Sequence, residues 1–236
     1  MTTRCGLLVC GHVHPDALDI GGDYPELFRS ILGPLGVEVA AYDVTAGELP
    51  SSIDECDGWL TSPSRSSATD GEPWIDDLAE MIRELVRSER PFAGMCFGHQ
   101  LLAVALGGTV ERSPAGWGAG VKTYEVVERR SWMDPPLERL RLIASHEDQV
   151  IVLPDGATLL ASADYCPVAA FEVGERAVAF QAHPEFSARL SDRLTRLRYE
   201  LMGAEVSDAA LRSLDQPLDR GTVARWIANF LTSRTS

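Results

Sequence analysis

Cys96 lies in the heptapeptide GMCFGHQ, residues 94–100. Before it runs an apolar segment that reads as a strand (PFAGM, 91–95). After it comes an apolar pattern that reads as a helix over 100–106, stopped by Gly107 and Gly108. A thiol on such a strand–helix turn, a nucleophile elbow, is held out at the carboxyl edge of a sheet, where open α/β sheets take their ligands. Gly94 and Gly98, at −2 and +2, let the turn close and backbone approach backbone. The following helix points its positive end at the sulfur, which favours an anion there, and the thiolate is the form that attacks. The same turn aims the Phe97 N–H at a place where an oxyanion could form. For this composition the pattern G-x-C-x-G-x-Q arises by chance in about 6 of 10,000 such chains, so the motif is informative. The other reading is a buried cysteine in a tight turn, since free cysteine is among the most buried residue types.

A nucleophilic thiolate needs a base to keep it charged and a third group to orient that base. QAHPEF, residues 181–186, follows the apolar run 177–180 and precedes a helical pattern. Its His183 and Glu185 are two apart at a strand end, with Pro184 stiffening the backbone between them. Glu185 could then fix the tautomer of His183 and stabilise its imidazolium. Two rivals have aspartate at +2, His14 with Asp16 and His146 with Asp148. The joint occurrence with the Cys96 elbow favours His183. His12 and His14 have no third ligand nearby, so no metal site is expected.

These residues need a scaffold. At 236 residues the chain can bury a sizeable core without disulfides or metals. Apolar runs at 5–10, 37–42 and 58–60 alternate with helical patterns at 24–35 and 74–86, where Ile75, Leu78, Ala79, Ile82, Leu85 and Val86 share one face. Such alternation predicts a mostly parallel sheet with helices on both faces. The second half is richer in strand patterns, at 121–127, 140–144, 158–163, 168–172 and 177–181. Helices are expected over 187–201 and 222–231, and 203–220 carries no clear pattern. One α/β domain over 1–236 follows, with a core of about 5–200 and a helical extension over about 203–236.

Lys plus Arg is 21 against 35 Asp plus Glu, a net charge of −14 that repels phosphate backbones and anionic lipid. Nucleic acid and membrane are therefore not expected as partners, and no apolar run approaches a membrane span. Five cysteines without a C-x-x-C pair argue against a disulfide framework and fit a reducing cytoplasm. The arginines at 189, 193, 196 and 198 read as a solvated helix face, with a docking surface as the alternative. Trp117 and Trp132 are candidates for lining a pocket or packing in the core.

GMCFGHQ, the following LLAVALGGTVERS, then SHEDQV (145–150) and QAHPEF together resemble a class I glutamine amidotransferase domain, over about residues 5–200. The resemblance implies a flavodoxin-like α/β fold, a three-layer sandwich around the central sheet. It places the nucleophile on Cys96, the general base on His183 and the orienting carboxylate on Glu185. It implies attack on the glutamine side-chain amide, a γ-glutamyl thioester, release of ammonia and hydrolysis by water, with no cofactor. Gln100 would help hold the glutamine, and Ser145, His146 and Glu147 would bind its amino-acid end. One segment departs from the family. Its glycine-containing oxyanion loop corresponds to LTSPSRSS (60–67), without glycine. Pro63 has no N–H, which leaves Ser64, or Ser62 in a shifted register, as second oxyanion donor. Losing such a donor costs about 2.7–4 kcal/mol of transition-state stabilisation.

Three functions follow as expectations. The first is hydrolysis of glutamine with ammonia passed to a separate acceptor or synthase partner, since no P-loop is present. The second is hydrolysis of γ-glutamyl peptides, as in the stand-alone γ-glutamyl peptidases, with loops 61–71 and 116–122 shaping the mouth for a larger leaving group. The third is a non-catalytic regulatory module.

Overall fold

The computed structural model describes residues 2–233. Its strands are β1 (Thr3–Val9), β2 (Val37–Asp43), β3 (Gly58–Thr61), β4 (Phe92–Met95), β5 (Thr109–Arg112), β6 (Gly118–Val126), β7 (Arg139–His146), β8 (Asp148–Val152), β9 (Ala157–Ala163), β10 (Cys166–Val173) and β11 (Ala177–Phe180). Its helices are α1 (Tyr24–Leu32), α2 (Pro73–Arg87), α3 (Phe97–Ala105), α4 (Ala188–Leu197), α5 (Tyr199–Met202), α6 (Ala204–Ser213) and α7 (Arg220–Thr232). Nine strands form one sheet in the order β2-β1-β3-β4-β11-β10-β9-β6-β7. Pairing is parallel from β2 to β11 and antiparallel from β11 to β7. The parallel half, in spatial order 2-1-3-4 and then β11, is the flavodoxin-like arrangement that the resemblance implies.

Both faces of the parallel half are covered, so its strands can be apolar on every residue. Leu7 packs in a cluster with Phe28, Leu190 and Trp226, from α1, α4 and α7. Its neighbour Leu8 packs in the opposite cluster with Leu78, Phe97 and Leu102, from α2 and α3. Successive side chains of one strand thus feed two cores, and the result is three layers.

The structure adds detail where the sequence pattern was weak. β5 and β8 pair as a separate two-stranded ribbon, for which no strand pattern is expected in the sequence. α3 begins at Phe97, three residues earlier than its apolar pattern. The 187–201 helix is interrupted at Arg198, and the chain turns into α5. The loop expected over 116–122 is largely strand, since β6 starts at Gly118. α6 occupies the patternless segment because it packs through small residues. A Cβ on Gly120, which has φ +76°, would lie 2.6 Å from Ala210 Cα. So close a contact leaves no large apolar stripe to read.

α7 is part of the main core, with Val223, Trp226, Ile227 and Phe230 all buried. Trp132 packs edge-on against Phe180, Trp226 and Phe230 at ring separations of 6.5, 6.4 and 5.4 Å, a core role. The Trp226 indole N–H also donates to Pro135 O at 2.9 Å. Trp226→Ala is expected to destabilise the whole fold by about 3–5 kcal/mol in a single cooperative denaturant transition. A separate early transition would instead mean that α7 is a dispensable extension.

Candidate active site

β4 is buried throughout and ends in the turn that carries Cys96. Cys96 adopts φ 49°, ψ −93°; among the described non-glycine residues only Glu89 shares a positive φ. Such a conformation costs about 1–3 kcal/mol and persists only where neighbours enforce it. Here the Cys96 N–H donates to Phe180 O at 2.8 Å and its carbonyl accepts from Gln100 N–H at 3.1 Å. The flanking glycines allow the close approach. A Cβ on Gly94 would lie 2.5 Å from Gly98 O, and one on Gly98 only 1.7 Å from Thr61 Oγ1.

β11 is the parallel neighbour of β4, with Phe180 opposite Met95, so the segment after β11 emerges beside Cys96. His183 sits there, its N–H donating to Ile143 O at 2.9 Å. Its Nδ1 is 2.7 Å from Glu185 Oε1, and its ring stacks on Phe186 at 4.2 Å. His183 and Glu185 are buried, and His183 Nε2 and Glu185 Oε2 have no hydrogen-bond partner among the described residues. Burial by itself lowers the imidazole pKa. The Cys96 anion, then Glu185, outweigh burial and raise it from 6.5 to about 10. No aligned bond closes between Nε2 and the sulfur, yet the sulfur's charge is the largest influence raising the ring's pKa.

The rival histidines differ. His14 Nδ1 accepts from Asp16 N–H at 3.2 Å, as a half-exposed helix cap at the cavity wall. The buried His146 points Nδ1 at the main-chain oxygen of Asp148, 3.1 Å away. Burial, reinforced by the charge on His183, pushes its pKa down to about 3, so it is neutral at pH 7. Of the three pairs, only His183 and Glu185 join a buried imidazole directly to a buried carboxylate.

A cavity of about 500 Å³ opens over Cys96 at the carboxyl ends of the parallel strands. Phe97, Ser64, Gln100, Ser145, His146 and Glu147 all line it, so every residue singled out for substrate contact reaches one space. Several are already engaged. Gln100 Nε2 donates to Asp148 O (2.8 Å) and Gln181 Oε1 (3.3 Å), Ser145 Oγ accepts from Arg198 Nη1 (2.9 Å), and Glu147 pairs with Arg112 (3.1 Å). The Ser62 N–H donates to Leu8 O at 2.9 Å, which removes it as an oxyanion donor. The Ser64 N–H makes no hydrogen bond among the described residues. Ser67 Oγ bonds Asp148 Oδ2 at 2.6 Å and ties this loop to the SHEDQV segment. Trp117 lines the cavity. No group of three or more His, Cys, Asp or Glu side chains among the described residues could hold a metal ion. No helix there is long and apolar enough to cross a membrane.

Three residues were missed by motif reasoning. Gln181 Nε2 approaches Cys96 Sγ at 3.6 Å. Gln181 opens the QAHPEF segment two residues before His183, so this signal was legible. Arg220, from α7, donates to Pro184 O (3.2 Å) and Glu185 O (3.0 Å) and grips the turn from behind. No local pattern announces that contact. Arg198 is the third, and here the solvated-face reading needs correction. Arg189 is exposed and Arg196 pairs with Asp192 at 2.9 Å, but Arg198 is half-buried and lines the cavity. Nine residues after Arg189, at 3.6 residues per turn, it falls on the opposite side of a helix.

Against known proteins, the family model for glutamine amidotransferase class-I matches residues 16–197. Gamma-glutamyl peptidase 3 of Arabidopsis thaliana is 30% identical over 225 residues, 89% of each chain. One component of the glutamine-hydrolysing GMP synthase of Methanocaldococcus jannaschii is 32% identical over 170 residues, 71% of this chain and 86% of that one. The fold matches the crystal structure of a glutamine amidotransferase from Thermotoga maritima with TM-score 0.80, at 21% identity, covering 99% of this chain and 100% of that one.

The electrostatics can be measured without any substrate. Cys96→Ser removes the largest influence raising the His183 pKa, so the imidazole should titrate well below 10, towards its ordinary 6.5. Glu185→Gln should lower it as well. A histidine-resolved NMR titration reads both, and an unchanged midpoint in Cys96→Ser would show that the sulfur does not set it.

Proposed function

Since this chain belongs to the class I glutamine amidotransferase family, we propose that it hydrolyses the γ-amide bond of a γ-glutamyl compound through a thioester on Cys96. The observation that carries this is the buried His183–Glu185 pair at 2.7 Å, beside a cysteine held at positive φ in a cavity wall. All the proposed machinery belongs to one domain.

The Cys96 thiolate attacks the γ-carbonyl carbon. A carbon–sulfur bond forms, and the carbonyl oxygen takes up charge facing the Phe97 and Ser64 N–H groups. Collapse breaks the carbon–nitrogen bond, and the departing amine takes the proton from His183. Thioester formation removes the sulfur's charge, the largest influence holding that proton, so the neutral His183 can now accept a proton from water. Water adds to the thioester, glutamate leaves and Cys96 is restored. Gln181 donates to the sulfur, and Arg220 fixes the backbone carrying the base. Gln100, Ser145, His146 and Glu147 surround the γ-glutamyl end; the neutral His146 offers its free Nε2 as a polar contact without adding charge.

We favour γ-glutamyl peptides over free glutamine as substrate. Ammonia needs no room to leave, whereas a cavity of about 500 Å³ is in the range that holds drug-sized ligands. Glutamine hydrolysis feeding ammonia to a separate synthase is the second reading, favoured by the likeness to a GMP synthase component.

Purified protein assayed for glutamate and ammonia together separates the two. Glutamate release from γ-glutamyl dipeptides without ammonia is expected, at a kcat/KM above that for glutamine. Cys96→Ala should lower kcat by at least about a thousandfold. A preference for free glutamine by orders of magnitude would overturn the peptide reading. Failure of a glutamine-mimicking electrophile to label Cys96 would overturn the thioester itself.

A further inference from the structure

The arginines at 189, 193, 196 and 198 are divided by burial. Arg193 pairs with Asp19 at 3.3 Å and Arg196 with Asp192 at 2.9 Å, all exposed side chains, and Arg189 is exposed too. Arg198 stands where α4 stops, half-buried in the wall of the cavity over Cys96, and among the described residues it is ion-paired with no carboxylate. The three carboxylates that line this cavity are engaged elsewhere. Glu147 pairs with Arg112 at 3.1 Å, Asp70 accepts from the Ser67 N–H at 2.7 Å, and Asp148 accepts from Ser67 Oγ at 2.6 Å. Burial holds the Arg198 guanidinium below its ordinary range; Tyr24 and Cys96 offset this and Arg65 adds to it, and no carboxylate is among the groups that act on it. A half-buried cation without a counter-ion costs free energy that an arriving anion recovers. The side chain makes one hydrogen bond among the described residues, from Nη1 to Ser145 Oγ at 2.9 Å. That bond ties the guanidinium to the end of β7, beside the γ-glutamyl end of the cavity. It leaves Nε and Nη2, the two parallel donors of one guanidinium edge, without a partner.

We propose that Arg198 binds the α-carboxylate of the γ-glutamyl group through this free edge and so selects substrates that carry it. This rests on the γ-glutamyl reading of the cavity and deepens it. It holds for glutamine and for γ-glutamyl peptides alike, since both present the same carboxylate and differ only in what departs. Three carbons separate the α-carboxylate carbon from the γ-carbonyl carbon, a span of about 5 Å when extended. The cation for that carboxylate therefore belongs in the same cavity as the nucleophile, as Arg198 does. A guanidinium takes a carboxylate through two parallel N–H donors, and such charge-assisted bonds discriminate strongly against a ligand that lacks the anion. The α-ammonium gains nothing from Arg198, so the two charged groups of the γ-glutamyl end are read separately. Arg198 acts on binding and takes no part in bond making or breaking.

γ-L-Glutamylglycine and 4-aminobutanoylglycine share the scissile amide, the ammonium and the leaving group, and differ only in the α-carboxylate. Calorimetry on the Cys96→Ala protein reads binding of both without chemistry. γ-L-Glutamylglycine should bind more tightly, by about ten- to a hundredfold. Adding Arg198→Gln should weaken γ-L-glutamylglycine, leave 4-aminobutanoylglycine unchanged and bring the preference towards unity. Arg198→Lys, which restores the charge without the fork, should recover part of it. Arg65→Gln, at an exposed cation in the same lining, should leave the preference in place. A second measurement needs no change at 198. Phenylglyoxal modifies arginine, and γ-L-glutamylglycine should slow its reaction with Arg198 in the Cys96→Ala protein, whereas 4-aminobutanoylglycine at equal occupancy should not. Equal binding of the two ligands, a preference that survives Arg198→Gln, or an Arg198 that reacts equally fast with either ligand bound would overturn the contact. So would equal weakening of both ligands by Arg198→Gln, which marks a structural role, or an equal loss of preference in Arg65→Gln, which marks a general field. If the preference is found but the native protein hydrolyses neither compound, the thioester chemistry fails while the contact stands. If it hydrolyses both with the same kcat/KM, the chemistry stands and the contact falls.

Discussion

The parallel pairing of β4 with β11 is the constraint from which the candidate site follows. It brings Cys96 and His183, 87 residues apart in sequence, to the same edge of the sheet. A one-residue slip in this register would displace the segment that follows β11, and with it Gln181, His183 and Glu185, from the sulfur. The antiparallel half prevents the slip from the other side, because Ile143 of β7 bridges to His183. The histidine is thus held between the parallel β4–β11 pairing and a strand of the antiparallel half.

Electrostatics is organised around the same seam. A buried imidazole facing an anion and backed by a carboxylate keeps its proton, while the imidazole of His146, buried without an anion against its ring, loses its own. Two buried histidines near one another therefore have opposite character, set by their neighbours rather than by their type. The strained Cys96 backbone belongs to the same logic. It is tolerated because two glycines remove the Cβ atoms that would otherwise separate β4, α3 and Thr61.

Much of this was legible in the residues, for physical reasons. The elbow announces itself through Gly94 and Gly98, since no other side chain fits where a Cβ would touch Gly98 O or Thr61 Oγ1. The His183–Glu185 contact is local, two residues apart on stiff backbone. The α/β layering showed in the helical spacing of 75–86 and the apolar runs between helices. What escaped was held by long-range or small-residue contacts. Arg220 reaches Glu185 O across 35 residues, and α6 packs through Ala210 against Gly120. The β5–β8 ribbon draws its strands from segments whose polar residues, such as Glu111 and Asp148, break any apolar run that would mark a strand. Arg198 was hidden among neighbours of the same type until the helix ended beneath it.

The arginines over Cys96 stand in a molecule that is strongly negative as a whole. An anionic solute at long range meets repulsion, and only within about a Debye length, roughly 8 Å in physiological salt, does it feel single guanidinium groups such as that of Arg198 in the cavity wall. Counterions weaken the distant repulsion more than the contact inside the cavity, which water and salt penetrate less. For such a solute, added salt speeds the encounter and does little to the grip, the reverse of the usual behaviour of oppositely charged partners.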